Sequence, residues 1–289
     1  MSAASGTLAA VRKVAAAAKI EGKMGSASNL RWAVVASLAA SLAAPALAVD
    51  GAADPIPGVR DGMDAPQGHW LNWTDYNMAR RASVPGKWQG EVALEGNTAS
   101  PGRFGASPDA GVTGRLGLGY GLSAELSASR STSGDYRPGI GLKYQLKASP
   151  TGLNLAVMGL FRPEGFNEPE GEVELHLIGG YRQGKGEVTL NAVAGADPDF
   201  KDADVEGKLA AGYRVAQSVL IGAEARTRNG LGSKVEGWGR HEHIAGALAQ
   251  IDLGKFTLSG LAGAGTYQAT TGADYKSGGY LLARLGYRF

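Results

Sequence analysis

The sequence predicts an all-β fold: a transmembrane antiparallel up-and-down barrel of about twelve strands, preceded by a short amino-terminal extension. Three observations predict it. From about Trp88 onward, short segments alternate apolar and polar residues; their connections alternate between short and long; and tyrosines recur on the apolar face beside the short connections.

The chain begins with a basic, Ala-rich piece from Met1 to Lys23, and Met24 is a candidate second start. Arg31 is followed by an apolar run from Trp32 and by the small-x-small triplet Ala46-Leu47-Ala48. A positive residue, a short apolar run and that ending read as a secretory signal peptide over residues 1–48, cleaved after Ala48. The run is Ala-rich and slightly short for a membrane-spanning helix. Cleavage removes five bases (Arg12, Lys13, Lys19, Lys23, Arg31) and one acid (Glu21), which turns the net charge from +2 to −2. A nucleic-acid partner then has no electrostatic basis. The absence of Cys excludes disulfide and thiolate-metal frameworks.

Residues 49–87 form a separate stretch with Asp, Pro and Gly punctuation. Within it lies the cluster Trp70-Leu71-Asn72-Trp73-Thr74-Asp75-Tyr76-Asn77-Met78, followed by Arg80 and Arg81. Trp70, Leu71, Trp73 and Met78 fit one face of a short helix. That piece is read as a lumen plug, an interfacial helix on the inner leaflet, a docking site for a periplasmic partner, or a tail with a local hydrophobic cluster. In the plug reading, Arg80 and Arg81 meet lumen glutamates such as Glu91 or Glu206.

Residues 88–289 carry the strands. Side chains alternate sides along a strand, so a two-residue period marks one apolar and one polar face. After a weak segment at 88–95, Val112, Gly114, Leu116, Leu118 and Tyr120 oppose Thr113 and Arg115. Leu122, Ala124, Leu126 and Ala128 oppose Ser123, Glu125, Ser127 and Ser129. Ile140, Leu142, Tyr144 and Leu146 oppose Lys143, Gln145 and Lys147. A weak segment at 153–161 follows. Val173, Leu175, Leu177, Gly179 and Tyr181 then oppose Glu172, Glu174, His176 and Arg182. Val188, Leu190, Ala192 and Ala194 oppose Glu187, Thr189 and Asn191. Val205, Leu209, Ala211, Tyr213 and Val215 oppose Glu206, Lys208 and Arg214. Ile221, Ala223 and Ala225 oppose Glu224, Arg226 and Arg228. Residues 243–251 alternate poorly; Ala245, Ala247, Ala249 and Ile251 are placed outward so that Ile251 takes the boundary position. Segment 256–265 is Gly-rich on both faces and has the weakest register.

Short connections fall at Gly121, 148–152, 183–186, 216–218 and 252–255; long ones at 96–111, 130–139, 162–171, 197–203, 229–242 and 265–279. Soluble sandwiches mix connection lengths less regularly. Tyr120, Tyr144, Tyr181, Tyr213 and Tyr287 all sit on the apolar face near a short turn or the carboxyl end. An up-and-down barrel brings them to one membrane boundary, as an aromatic girdle.

The last ten residues are Tyr280-Leu281-Leu282-Ala283-Arg284-Leu285-Gly286-Tyr287-Arg288-Phe289. Leu281, Ala283, Leu285, Tyr287 and Phe289 share a face that Arg284 and Arg288 oppose. A soluble edge strand shares this alternation; the aromatic Phe289 closing the apolar face separates the two. The stretch resembles the terminal strand of bacterial outer-membrane β-barrel proteins, porin-like in the broad sense. The resemblance implies that Phe289, Tyr287 and Leu285 form the assembly signal. It further implies barrel assembly machinery and periplasmic chaperones as partners, the outer-membrane bilayer as surroundings, and a periplasmic short-turn end.

The inward-facing acids are Glu91, Glu125, Glu172, Glu174, Glu187, Glu206 and Glu224. The inward-facing bases are Arg115, Lys143, Lys147, Arg182, Lys208, Arg214, Arg226, Arg228, Arg284 and Arg288. With His176, they make a nearly balanced wall, either a wet pore lining or a closed network of cross-strand pairs. The wet pore is preferred because Gly, Ser and Ala leave room between the charges. Twelve strands lie between the width that side chains fill and the width that leaves a channel. His241-Glu242-His243 reads as a solvated loop run rather than a metal pair, and no metal or other cofactor is expected. The near-uniform apolar lipid face gives a lipid-hydrolysing Ser-His pair no place, so no catalytic residue is assigned. The sequence therefore favours a passive porin-like channel for small polar solutes. The alternative is a non-conducting barrel serving as a structural, adhesive or docking platform.

Overall fold

A computed structural model describes residues 74–100, 110–130, 136–163, 171–196, 203–230, 241–268 and 274–289. Residues 1–48, where a signal peptide is expected, Trp70, Leu71, Trp73 and most of the long connections lie outside the described residues.

Twelve strands follow in chain order. They are β1 (Gly90–Ser100), β2 (Ala110–Gly119), β3 (Leu122–Arg130), β4 (Tyr136–Lys147), β5 (Gly152–Pro163) and β6 (Gly171–Gln183), then β7 (Gly186–Ala196), β8 (Ala203–Ala216), β9 (Val219–Gly230), β10 (His241–Leu253), β11 (Phe256–Gln268) and β12 (Lys276–Arg288). Each pairs antiparallel with its chain neighbours, and β1 pairs with β12, so the sheet closes with no free edge. The seam runs in continuous register from Glu91↔Arg288 to Ser100↔Gly279.

The two faces differ as the alternation requires. Leu126, Leu142 and Leu175 are 63%, 54% and 51% exposed, whereas their neighbours Glu125, Lys143 and Glu174 are 4%, 3% and 6% exposed. A soluble protein buries its leucines and solvates its charges. Here the order is inverted, which only a hydrocarbon exterior stabilises. The molecule is a transmembrane up-and-down barrel. Ala245, Ala247, Ala249 and Ile251 face outward as expected, while Ile244, Leu248 and Gln250 are buried inside.

Three local readings are corrected. His241, Glu242 and His243 are not a loop but the first residues of β10, with Glu242 buried inside and His243 paired with Thr227. Lys147 is exposed rather than inward, because a register shift between Gln145 and Lys147 breaks the parity. Tyr120 leaves the strand face and lies in a two-residue turn with Gly121. Both have positive φ (52° and 74°), and Tyr120 is 90% exposed.

Candidate functional site

The lumen is the candidate site, and it is occupied. Residues 74–85 lie inside the barrel as irregular chain, with Thr74, Tyr76, Ala79, Arg81 and Ala82 each at most 3% exposed. The segment folds on itself: the Tyr76 amide donates to the Ala79 carbonyl at 3.0 Å, and the Arg81 amide donates to Asp75 Oδ1 at 2.7 Å. Its described part is not helical, which the interfacial-helix reading requires.

Inward side chains of the wall satisfy its main chain. Glu224 accepts from the amides of Asn77, Met78 and Ala79 at 3.1, 2.9 and 3.0 Å. Asn191 accepts from the Arg80 amide at 2.6 Å and donates to the Arg80 carbonyl at 2.9 Å. Lys143 donates to the Arg81 carbonyl at 2.8 Å, and Gln250 to the Asp75 carbonyl at 3.3 Å. Buried amides and carbonyls need such partners, and each left unmade costs about 1–3 kcal/mol.

The segment's side chains are held by charge. Arg80 forms a two-pronged pair with Glu125, at 2.5 and 2.7 Å. Arg81 pairs with Glu187 and lies over the Tyr76 ring, 4.0 Å from its centroid. Tyr76 donates its phenol to the same Glu187 at 2.5 Å. Asp75 pairs with Arg115. The partners expected from sequence for Arg80 and Arg81, Glu91 or Glu206, are taken by other cations: Arg284 pairs with Glu91 at 2.7 Å and Lys208 with Glu206 at 2.7 Å.

These charges perturb the segment's own titrations. Burial alone pushes the Asp75 carboxyl up, but the cations of Arg115, Lys143, Arg80 and Arg284 outweigh it and hold it well below the usual carboxylate range. Burial, then the Glu187 charge, pushes the Tyr76 phenol well above its ordinary value. Burial acts against the charges of Arg80 and Arg81 too, yet Glu125 and Glu187 keep both more firmly protonated than free arginine.

Apart from Lys147, the other inward residues named from sequence are also found on the inner wall. Glu174 bonds His176 at 2.6 Å and Arg162 at 2.7 Å; Arg182 bonds Glu187 at 2.7 Å. Arg226 pairs with Glu242, and Arg284 also reaches Glu95 at 3.2 Å. Arg214 is half-buried beside the short turn between β7 and β8, its amide donating to the Lys185 carbonyl at 2.9 Å.

Sequence reasoning missed the apolar part of the lumen. Leu220, Ile244, Leu248, Leu261, Tyr280 and Leu282 face inward and pack with Tyr76 and Ala79. Across the barrel, Ala156, Met158, Leu160 and Ile178 pack with Ala82. The signal was present in Ile244, Leu248 and Leu261, apolar residues at the inward parity of their own segments.

Beyond the segment, toward the long connections, the lumen widens into a cavity of about 210 Å³. Residues Asp75–Arg80 line it on the inner side, and the ends of the strands that lead into long connections form its wall. Arg137, Arg162, Lys208, Arg226 and Arg228 crowd the arc from β4 to β9. Glu95, Glu125 and Glu242 lie on the remaining arc. The lining is thus charged, and most of its cations are paired with neighbouring carboxylates.

At the short-turn end, Tyr144, Tyr181, Tyr213 and Tyr287 are 39–48% exposed on the outer face, and Tyr287 packs against Phe256 with ring centroids 5.2 Å apart. Tyr120 stands at the same end, in its turn. Leu285 is exposed between Leu94 and Leu258, and Phe289 exchanges backbone hydrogen bonds of 3.0 Å with Gly90.

No family model and no curated protein matches the chain. Among solved structures, it is similar to the KdgM porin in complex with disordered oligogalacturonate, at 9% identity and a TM-score of 0.46, covering 70% of this chain and 99% of that one. It is similar to the NanC porin at 8% identity and a TM-score of 0.47, covering 68% and 98%. An outer-membrane channel from Pseudomonas putida F1 aligns at 13% identity and a TM-score of 0.49, covering 72% and 97%.

Proposed function

We propose that the chain is an outer-membrane, porin-like passive channel for small polar solutes, entered from the long-connection side. The observation that carries this reading is the charged cavity of about 210 Å³ inside an apolar-sheathed, fully closed barrel. A solid barrel core has no use for such a space, whereas a hydrated solute path needs polar groups along it. The paired charges favour a weakly selective path, because each cation's field is largely cancelled by its carboxylate neighbour.

Single-channel recording of the purified mature protein in a planar bilayer tests the reading. Discrete conductance steps are expected, small because residues 74–85 occupy the lumen. Their position also favours a second reading, a barrel that does not conduct and acts as a structural, adhesive or docking platform. A silent bilayer at every voltage and salt concentration selects it. Export is tested separately: protein from the outer-membrane fraction should begin at Val49.

A further inference from the structure

We propose that the lumen is a receptor for peptide main chain, filled in cis by residues 74–85, and that this segment is an exchangeable stopper. Only the conductance readout of the test rests on the channel reading above; the binding readout does not.

The contacts divide by what they recognise. Glu224, Asn191, Lys143 and Gln250 bind main-chain groups of residues 75–81 through the seven hydrogen bonds described above; Gln250 also accepts from the Arg81 guanidinium at 3.3 and 3.4 Å, and Lys143 lies 4.0 Å from the Asp75 carboxylate. Three amides converge on the single Glu224 carboxylate, an arrangement that reads the backbone and excludes proline at those positions. Side-chain recognition falls on the flanks, on Asn77 and on Ala79, which packs with the inward apolar wall. Asp75 meets Arg115, Tyr76 and Arg81 share Glu187, Arg80 meets Glu125, and Asn77 accepts from Ser259 at 2.8 Å. The ligand class is therefore a short peptide of the pattern Asp-Tyr-Asn-x-Ala-Arg-Arg. Its turn is already encoded, since the Tyr76–Ala79 and Asp75–Arg81 bonds lie within the segment.

Exchange is physically accessible. Among the described residues, no strand pairs with the segment in a ladder, so the closed sheet stays hydrogen-bonded when the segment leaves. Of the polar wall groups it releases, Arg115 and Glu125 line the cavity, from which water can solvate them; the apolar wall under Tyr76, Ala79 and Ala82 is uncovered at the same time and favours rebinding. Residues 86–89 connect it to β1 at the rim, where Lys87 and Trp88 are exposed.

The test uses the full chain with a protease site inserted between Gly86 and Lys87, cleaved after folding in detergent. The severed amino-terminal fragment should co-elute with the barrel and exchange with a labelled synthetic peptide of residues 74–85. Unlabelled peptide should compete, and so should peptide carrying Met78→Ala, within about threefold. Peptide N-methylated at Met78 and Ala79 should compete roughly tenfold or more weakly, because two charge-assisted N–H bonds are gone. A barrel with Glu224→Leu should show a similar loss. Equal competition by the N-methylated peptide overturns the proposal, as does a fragment that neither leaves nor exchanges, or one that leaves with no rebinding. In bilayers, cleavage should raise conductance and added peptide should lower it. Peptide binding without conductance in any state removes the channel reading and leaves the receptor. Conductance indifferent to bound peptide does the reverse for the stopper.

Discussion

The side-chain amide of Asn191 clasps both polar groups of the Arg80 main chain, accepting from its N–H at 2.6 Å and donating to its carbonyl at 2.9 Å. Asn191 is fully buried, so this pairing mimics one rung of a ladder using a single side chain. Asn191→Leu keeps the volume and removes both bonds. It should lower stability by about 1–3 kcal/mol in urea unfolding from detergent micelles. Asn191→Ser should recover part of the loss by admitting water.

Glu187 is a shared acid of the site, with Arg81, Arg182 and the Tyr76 phenol around it. Removing its charge leaves two arginines without compensation in a buried setting. Glu187→Gln should cost about 3–5 kcal/mol, measured by the same unfolding assay. Adding Arg81→Met to Glu187→Gln should restore stability, because the pair rather than either ion is what the lumen tolerates. If the double variant is as unstable as the sum of the singles, the two residues are not coupled.

The inversion of the two faces predicts opposite responses at adjacent positions. Leu142→Arg or Leu175→Arg places a cation on the lipid side and should cost roughly 2–4 kcal/mol near the bilayer midplane, read as lost insertion into lipid vesicles. Lys143→Leu should insert normally. Its defect should be confined to the lumen, where the Arg81 carbonyl loses its donor.

The stopper's own anchors, Asp75 and Tyr76, should be insensitive to ordinary pH. The Asp75 carboxyl is depressed, so its stabilisation is present above the unfolded pKa and is lost only as pH falls through the depressed value. The Tyr76 phenol is raised, so its contribution is present below the unfolded pKa and is lost only as pH rises through the raised value. Together they span roughly pH 4 to 10. Asp75 and Tyr76 should cause no release of the severed fragment across pH 5–9; a release step in that range that persists when the facing wall groups Lys143 and Glu224 are replaced by Gln contradicts the assignment of these two groups as its anchors.

Much of this architecture was legible in sequence because a barrel with lipid outside and charge inside has a strict two-residue period. Leu142 beside Lys143 and Leu175 beside Glu174 are read at sight. The period fails where both faces are apolar, as in Leu153–Leu160, where Met158 and Leu160 turn inward while Leu153 and Val157 do not. It fails also at the irregularity beside Gln145, where parity slips and Lys147 swings out. The cluster ending in Arg80 and Arg81 was visible as an oddity, but its partners were not. Glu125, Glu187 and Glu224 lie on β3, β7 and β9, and they converge only once the sheet has curled round.

That the segment sits within a closed circle of strands constrains the order of events during biogenesis. Its polar contacts reach wall residues 40–182 positions later in the chain, so they form only after large loops close. A finished cylinder admits a folded turn only through its mouths. Curling the sheet round an already placed turn neutralises Glu125, Glu187 and Glu224 as they are drawn together. The register from Glu91↔Arg288 to Ser100↔Gly279 would then be the last to zip. On that sequence of steps the earliest-synthesised part of the barrel region acts as a former around which the later strands take their curvature, and damage to it shows first as slow maturation.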